Sequence, residues 1–420
     1  MMRRFLLSSL WRRALWVFTA HSVVADSGMA AAAPAWPARA VASAEPLRQI
    51  HAGGPSGLLA LGAGGTLWAL ALTGGAPQRI AEGLDPDTPL ATGHGRIAAR
   101  RSDGGLWVSE RGAVQAAGKT GLAAHAGLLI LPLGIIATVA DRDSHRLVRL
   151  EPHGSQGWSE VARSAAAVLP DARPLQVDMD GGDGRGGSGG GGGHIVVLGG
   201  PDAERYRHGV LGDGVEATRL LYLDRHSLQV MRELSIPAPF VIEDIAARPV
   251  LMGTGTGLLT MRSGPSGAQL MLVAADPGRA DRLRIEALGD AIGTRNRWLA
   301  PTTDGQRWLA VHTPHIGGVL YEYHRVGERL VGRAAGGDFS THRIGSRELD
   351  LAVWLGRWLV VPNQEGRRLR VLDGSSGWAE VASVPLPARV DSSVALPGRQ
   401  TFAALLSDGS VVIAGVPATR

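Results

Sequence analysis

The sequence contains no cysteine in 420 residues. Disulfide bonds, thiolate nucleophiles and cysteine-based zinc sites are therefore excluded, and so is lipid attachment to an N-terminal cysteine. Stability must then come from packing, from closure of a sheet or from a bound ion. Aromatic residues are also scarce, at 5%, whereas there are 59 glycines and 24 prolines. This composition favours many short strands joined by turns over long helices.

Lysine is almost missing too, because Lys119 is the only one among 43 basic residues. The formal net charge of +5 would suit a nucleic-acid binder if the arginines formed one stripe together with aromatic residues. They are instead scattered through every segment of the chain. We therefore do not expect nucleic acid as a partner.

Long apolar runs are absent after the N-terminal region, so no later stretch is expected to span a membrane. Residues 1–33 combine basic residues, an apolar middle and a run of small residues, which is the pattern of a signal or targeting segment. We expect an exported protein, either periplasmic or extracellular. An uncleaved helix at a membrane interface is the alternative interpretation of the same residues.

From about residue 37 onward, short β-type runs separated by Gly, Asp and Pro recur in groups of four. Periods of about 40–45 residues made of four strands are typical of propeller blades. The prediction is an all-β chain that forms a single β-propeller over residues 37–416. We count eight four-stranded blades. Seven blades with an irregular insertion is the alternative count, and a pair of β-sandwiches is the alternative architecture.

The last group contains only three strands, and its missing fourth strand has a candidate at the other end of the chain. Residues 37–45 resemble the outer-strand pattern of the first group. We therefore predict that an N-terminal strand completes the last sheet and closes the ring, which leaves no open edge between the chain ends. The closed ring is expected to be a monomer.

Two connections in the fourth group are unusually long. Residues 186–193 are glycine-rich and predict a flexible, disordered insert. Residues 201–216, PDAERYRHGVLGDGVE, join two strands of one blade. Because long loops on a rigid scaffold commonly carry binding sites, this segment is the first place to look for one.

Three aspartates, Asp178, Asp180 and Asp183, lie in the run PLQVDMDGGDG, which is followed by a second strand, HIVVLGG. Alternating carboxylates separated by glycines suit Ca²⁺, because the carboxylates can turn inward and the glycines permit sharp turns. The run resembles the FG-GAP or VCBS repeat of exported β-propellers, a blade type also found in integrin α chains. The resemblance implies a calcium-stapled propeller for adhesion or recognition, with these three aspartates as ligands. In the alternative, they make only turn hydrogen bonds.

Four histidines lie near one another in the sequence: His312, His315, His324 and His342. Neutral imidazoles are good ligands for transition metals, and the HTPH run places the first two at one junction between a strand and a loop. A metal site is one interpretation of this spacing. Polar loop or core histidines are the other.

No nucleophile elbow, phosphate-binding loop or dinucleotide fingerprint occurs in the sequence. The prediction is a non-enzymatic binding or scaffold module with a protein or glycan partner. Eleven tryptophans suit sugar stacking, although packing between blades also explains them. The alternative is a propeller enzyme, a metal-dependent hydrolase or lyase with its site in the central channel. Such an enzyme should gather polar residues from several blades at one end of that channel.

Overall fold

The computed structural model describes residues 36–54, 57–115, 120–154, 157–179, 193–253, 255–349, 351–396, 398 and 400–416. Three predicted features lie wholly or mostly outside these residues. They are the targeting segment 1–33, the glycine-rich insert 186–193 apart from Gly193, and the calcium ligands Asp180 and Asp183.

The described residues form thirty-two β-strands in eight consecutive groups of four, and each group corresponds to one predicted blade. Blade 1 comprises β2 (Leu47–Ala52), β3 (Leu58–Gly62), β4 (Leu67–Ala69) and β5 (Gln78–Ala81). Blade 2 comprises β6 (Ala91–Gly93), β7 (Arg96–Arg100), β8 (Leu106–Glu110) and β9 (Ala113–Gln115). Blade 3 comprises β10 (Leu129–Leu131), β11 (Gly134–Asp141), β12 (Ser144–Pro152) and β13 (Trp158–Arg163). Blade 4 comprises β14 (Leu175–Val177), β15 (His194–Asp202), β16 (Glu216–Leu223) and β17 (Val230–Ser235).

The second half of the chain repeats the same scheme. Blade 5 comprises β18 (Arg248–Met252), β19 (Gly255–Gly264), β20 (Gly267–Ala275) and β21 (Leu283–Gly289). Blade 6 comprises β22 (Leu299–Thr303), β23 (Trp308–His312), β24 (Val319–Val326) and β25 (Arg329–Gly336). Blade 7 comprises β26 (Val353–Leu355), β27 (Trp358–Pro362), β28 (Arg368–Asp373) and β29 (Ala379–Pro385). Blade 8 comprises β30 (Val390–Leu396), β31 (Thr401–Leu406), β32 (Val411–Gly415) and the first described strand, β1 (Ala38–Val41).

Within each blade, neighbouring strands pair antiparallel in a simple up-and-down order. The first strands of adjacent blades contact each other, as β2 does with β30, β30 with β26, β6 with β10 and β18 with β22. These first strands therefore face the middle of the ring. On the rim, the outer strands β21 and β25 pair in parallel and join blades 5 and 6 into one eight-stranded sheet. The predicted all-β propeller of four-stranded blades is confirmed.

Strand β3 shows why the strands have nearly continuous apolar sequences. Successive side chains of a strand point to opposite faces of its sheet. Leu58 and Ala60 pack into a cluster shared with blade 8, whereas Leu59 and Leu61 pack into a cluster shared with blade 2. All four are fully buried. Because each sheet is covered on both faces, no alternation of apolar and polar residues is needed.

The ring is closed by the N-terminal strand, as predicted. β1 pairs antiparallel with β32, with Ala38 opposite Ala414 and Val41 opposite Val411. It is the outer strand of blade 8, so the last blade combines both ends of the described chain. The pairing covers the edge of β32, which would otherwise expose a row of unpaired backbone groups.

Candidate functional site

Several long connections meet at one end of the blades, which we call the loop end. Because the strands within a blade alternate in direction, the connection from second to third strand lies at the same end as the connection to the next blade. At this end lie the blade 4 insertion, residues 203–215, and the connections 236–247, 290–298 and 337–349. Backbone hydrogen bonds tie them together, including one of 2.8 Å from Gly345 N–H to the Val210 carbonyl.

Tyr206 and Arg205 anchor the start of the insertion. Tyr206 is fully buried, and its hydroxyl accepts a hydrogen bond from the Asn296 backbone N–H at 2.8 Å. The Arg295 guanidinium lies over the Tyr206 ring, 4.5 Å from its centroid. Arg205 donates to the Ile236 and Phe240 carbonyls at 2.9 and 3.2 Å. The insertion is therefore fixed to the connections before and after blade 5.

Glu243 is the fully buried centre of a polar network beneath the insertion. One carboxylate oxygen contacts Nδ1 of His208 in the insertion, and the other accepts a hydrogen bond from the Ser263 hydroxyl at the end of β19. The Glu243 carbonyl accepts a third bond, from the Trp298 indole, at 3.0 Å. Burial raises the pKa of Glu243 despite these partners. The hydroxyl of Ser263 donates to a carboxylate and not to a histidine, so it is not arranged as an activated nucleophile.

Arg347, in the connection between blades 6 and 7, joins two carboxylates from the other side of the loop end. Its Nε donates to Asp171 at 2.8 Å and its Nη2 donates to Asp213 at 2.6 Å. Asp171 lies between blades 3 and 4, and Asp213 lies in the insertion. A Cβ at Gly212 would stand 2.7 Å from the guanidinium, so glycine at this position permits the close approach. Burial and the neighbouring Asp213 raise the pKa of Asp171.

Glu216 is the first residue of β16. Unlike Glu243, Asp171 and Asp213, it receives no side-chain hydrogen bond from any described residue. Only 3% of its surface is exposed. Burial, reinforced by the charges of Glu243, Asp213 and Asp171, raises its pKa to about 10. Its carboxyl group is therefore neutral at pH 7. The nearby Asp244, by contrast, is paired with Arg248 at 2.7 Å.

His315 and His342 form a hydrogen-bonded pair that links blade 6 to the connection that follows it. His342 Nε2 lies 2.8 Å from the Ser346 carbonyl, which can only accept, so Nε2 carries a hydrogen. Burial lowers the pKa of His342 to about 3 and that of His315 to about 4, so both rings are neutral at pH 7. His342 Nδ1 then accepts a hydrogen bond of 2.9 Å from His315 Nε2. Trp298 stacks against His315, with 6.0 Å between ring centroids.

The other histidines of the predicted metal cluster lie apart from this pair. His312 bonds the Tyr323 hydroxyl at 2.5 Å and stacks on Tyr321, with 4.0 Å between centroids. His324 is exposed. Within the described ranges, no group of three or more His, Cys, Asp or Glu side chains is arranged to hold a metal ion. Of the predicted calcium ligands, only Asp178 is described, and it is exposed.

The tryptophans at the described positions are buried or half-buried, with none exposed. Trp107 and Trp308, for example, have exposed fractions of 6% and 8%. They pack between blades, which agrees with the packing interpretation of their spacing. In the same part of the chain, no helix has the length and apolarity needed to cross a bilayer.

Sequence reasoning identified the segment 201–216 but missed most of the residues that act with it. In the sequence, Glu243 and Asp244 are only an adjacent acidic pair, and neither Glu216 nor Arg347 stands out. The length of the segment was the only local signal. Its partners come from connections 35 to 134 residues away in the chain, as for His208 with Glu243 and Asp213 with Arg347.

No protein-family model matches the sequence, and no curated protein matches it. Many solved structures are similar in fold. The computationally designed protein Ika8 has a TM-score of 0.55 at 9% identity, over 89% of this chain and 96% of that one. Sqt1 of Saccharomyces cerevisiae has a TM-score of 0.58 at 10% identity, over 92% of this chain and all of that one. The Cps50 (Swd1) β-propeller domain of Myceliophteria thermophila has a TM-score of 0.47 at 13% identity, over 90% of this chain and all of that one. At these identities the likeness concerns the fold alone, and the FG-GAP or VCBS resemblance stays a prediction.

Proposed function

We propose that this β-propeller is a binding module whose recognition surface is the loop end. The observation that carries the proposal is the blade 4 insertion, which is locked by side-chain bonds to connections from several blades. Ordering a long loop costs conformational entropy, and closure of the propeller does not require this loop. Rigid presentation of loops lowers the entropy lost when a partner binds.

Exposed apolar side chains also favour the loop end as the recognition surface. Among the large apolar residues exposed in the described chain, Ile316 and Ile344 lie on turns at the loop end, at 62% and 65% exposure. The others lie on outer strands or at the opposite end. Exposed apolar residues on rigid turns are suited to become buried anchors in a protein interface. We therefore favour a protein partner over a glycan.

Catalysis is the second candidate function, and Glu216 is the observation that favours it. A carboxyl group kept neutral by burial can donate a proton or a hydrogen bond, and groups with strongly raised pKa values cluster at functional sites. In this proposal Glu216 is the acid. Activity that survives Glu216→Gln would argue against it, because the amide cannot donate a proton to a leaving group.

We also propose, from the sequence, that the protein is exported and that calcium stabilises it through Asp178, Asp180 and Asp183. Export would place the chain where calcium is commonly at millimolar concentration, which suits a weak extracellular site. Fractionation of the source cells tests export. Detection of the protein only in the cytoplasmic fraction would contradict it.

Site-specific cross-linking tests the binding proposal, and the absence of cysteine makes it simple. A photo-activatable cross-linker is attached to a single cysteine introduced at Ser346 on the loop end, or at Leu133 on the opposite end as the matched control. We expect a partner to be captured from source cells by the first variant only, and capture to be suppressed by excess unlabelled protein. Equal capture from both positions, or capture from Leu133→Cys alone, would overturn the proposal.

A further inference from the structure

The two exposed isoleucines at the loop end lie on adjoining turns with fixed geometry. The turn bearing Ile316 is closed by a 2.8 Å hydrogen bond from the Ile316 N–H to the Thr313 carbonyl. The turn bearing Ile344 is closed by a 3.0 Å bond from the Ser346 N–H to the Arg343 carbonyl. The bond between His315 and His342 ties one turn to the other, because each histidine lies within two residues of an isoleucine.

A third turn, residues 363–367 of blade 7, supports this surface from the side. The Gln364 side chain donates to the Pro314 carbonyl at 2.8 Å and accepts from the Gly318 N–H at 2.7 Å. It thereby fixes both ends of the loop that carries Ile316. We call the surface formed by Ile316, Ile344 and the arginines around them the isoleucine patch.

The charge around the isoleucine patch is positive. The charges of Arg343 and Arg389 act on the two histidines, and Arg367 is the last residue of the blade 7 turn. Arg343 already pairs with Asp391 at 2.8 Å, whereas no described carboxylate lies within ion-pair distance of Arg367 or Arg389. One further acid, Glu365, lies on the blade 7 turn. Asp338 also reaches this turn, where its carboxylate accepts a hydrogen bond from the Gln364 N–H at 3.2 Å, but it lies 4.0 Å from guanidinium nitrogens of both Arg368 and Arg370. The excess positive charge of the patch therefore comes from Arg367 and Arg389, which have no carboxylate partner among the described residues.

We propose that the isoleucine patch binds a protein segment in which two apolar side chains lie next to acidic residues. The isoleucines would be buried against the apolar side chains of the segment, and Arg367 and Arg389 would pair with its carboxylates. This inference rests on the proposed binding function and names the chemistry of the partner. An anionic membrane surface fits less well, because the patch offers no exposed tryptophan or phenylalanine to enter the headgroup region.

Peptide selection tests the proposal directly. The full chain is immobilised through Leu133→Cys, so that the loop end faces the solution, and a display library of short random peptides is selected on it. We expect enrichment of peptides that combine apolar residues with Asp or Glu. An enriched peptide should then bind at least tenfold more weakly to the double variant Ile316→Asp, Ile344→Asp, because about 1.4 kcal/mol corresponds to tenfold in affinity.

The matched control is the double variant Leu251→Asp, Val326→Asp, which places the same charges near the ends of β18 and β24 that lie opposite the loop end, and it should bind like the wild type. All four residues are exposed, so thermal midpoints within about 2 °C of the wild type are expected for both variants. Arg389→Glu should weaken binding at low salt, and the loss should shrink at about 1 M NaCl, where charges are screened within about 3 Å.

Three outcomes of the peptide experiment would overturn the inference. They are enrichment of basic or uncharged peptides, no enrichment at all, and an enriched peptide that binds the Ile316→Asp, Ile344→Asp variant undiminished. Binding to phosphatidylglycerol vesicles that disappears in this variant would assign the patch to a membrane and would also overturn it. If the Ser346 cross-linker still captures a partner in any of these cases, the binding function stands and only the partner chemistry is wrong. If it captures nothing, the binding function fails as well.

Discussion

Asp85 and Glu216 are two carboxyl groups at the loop end with opposite electrostatic environments. Asp85 lies between blades 1 and 2 and accepts hydrogen bonds from the Asp87 N–H at 3.0 Å, the Thr88 hydroxyl at 2.8 Å and Arg100 at 2.5 Å. Burial alone would raise the pKa of Asp85, but these bonds lower it below the ordinary value. For Glu216 burial acts among other acids, and its pKa is raised to about 10.

The difference separates a structural carboxylate from a candidate functional one. Asp85 stabilises the connection that holds it, because its charged form is fully satisfied. Glu216 destabilises the fold at neutral pH, since its proton must be retained well above the usual range. The connection between blades 1 and 2 thus contains an acid that its hydrogen bonds keep charged. The region around the insertion contains groups that closure does not explain.

Removal of Arg347 should cause the largest loss of stability in this region. Arg347→Gln leaves Asp171 and Asp213 without their shared cation, and breaking a buried ion pair typically costs about 3–5 kcal/mol. We expect a loss of about 3 kcal/mol in urea denaturation at pH 7, since the Arg347 side chain is still 24% exposed. Arg343→Gln, which breaks an exposed pair with Asp391, should cost less than about 1 kcal/mol. Equal losses would show that the Arg347 contacts are no more important than a surface pair.

Glu216→Gln should stabilise the protein, because glutamine has no proton to release. The region around the insertion would then lack the buried acid that distinguishes it from the connection containing Asp85. Folded Glu216 holds its proton up to pH about 10, whereas the unfolded chain releases it above about pH 4.5. Stability is therefore present below pH 4.5 and falls as pH rises toward 10. At pH 7 the gain from glutamine is at most about 3.5 kcal/mol, that is, about 1.4 kcal/mol for each of the 2.5 pH units between 4.5 and 7. Urea denaturation at pH 5, 7 and 9 measures it, with Glu365→Gln as an exposed control. A wild-type profile with the same slope as Glu216→Gln would refute the assignment.

The histidine pair should make the same region sensitive to acid. His342 stays neutral in the fold down to pH about 3, whereas the unfolded ring is protonated below about 6.5. Its contribution is thus present above pH 6.5 and is lost as pH falls. Between pH 7.5 and 5.5 we expect the wild type to lose about 1.4 kcal/mol more than His342→Gln does. The exposed His324→Gln should retain the wild-type dependence. Parallel curves for wild type and His342→Gln would contradict this prediction.

Calcium should have an effect no larger than that of the histidine pair. A bound ion would neutralise a third group of carboxylates, Asp178, Asp180 and Asp183. At a calcium concentration about ten times Kd, binding stabilises by about 1.4 kcal/mol, which should raise the thermal midpoint by a few degrees. Asp180→Ala should abolish the rise, and Asp143→Ala, at another acidic turn, should not. The site is absent if millimolar calcium produces neither heat in calorimetry nor a change in the midpoint.

The architecture was accessible from the sequence because its signals are local. Leu58 to Leu61 form a continuous apolar run bounded by glycines, and such runs predict short buried strands without knowledge of their neighbours. The closing strand was found because one group lacked a fourth strand and residues 37–45 matched an outer-strand pattern. The repeat also predicted the number of strand groups, since each blade must bury both faces against its neighbours.

The polar network was not accessible in this way. Glu216 is an ordinary acid at the start of a strand, and nothing in the adjacent sequence indicates that Asp171, Asp213 and Glu243 approach it in space. Equally, His312 and His315 are three residues apart but lie in different environments, whereas His315 and His342 are in direct contact. Sequence spacing predicted a group of histidines, and the turn after β23 separated its members.

The sequence by itself determined three features. They are the short buried strands in repeating groups, the N-terminal strand that completes the last blade, and the long loop of blade 4 as a candidate binding segment. Periodicity and turn residues suffice for these features because they act within a few residues. Only the tertiary structure decided which charges are paired, which carboxyl group stays protonated and which apolar side chains remain at the loop end. Those properties depend on burial and on the distances between connections far apart in the chain, and closure of the ring sets both.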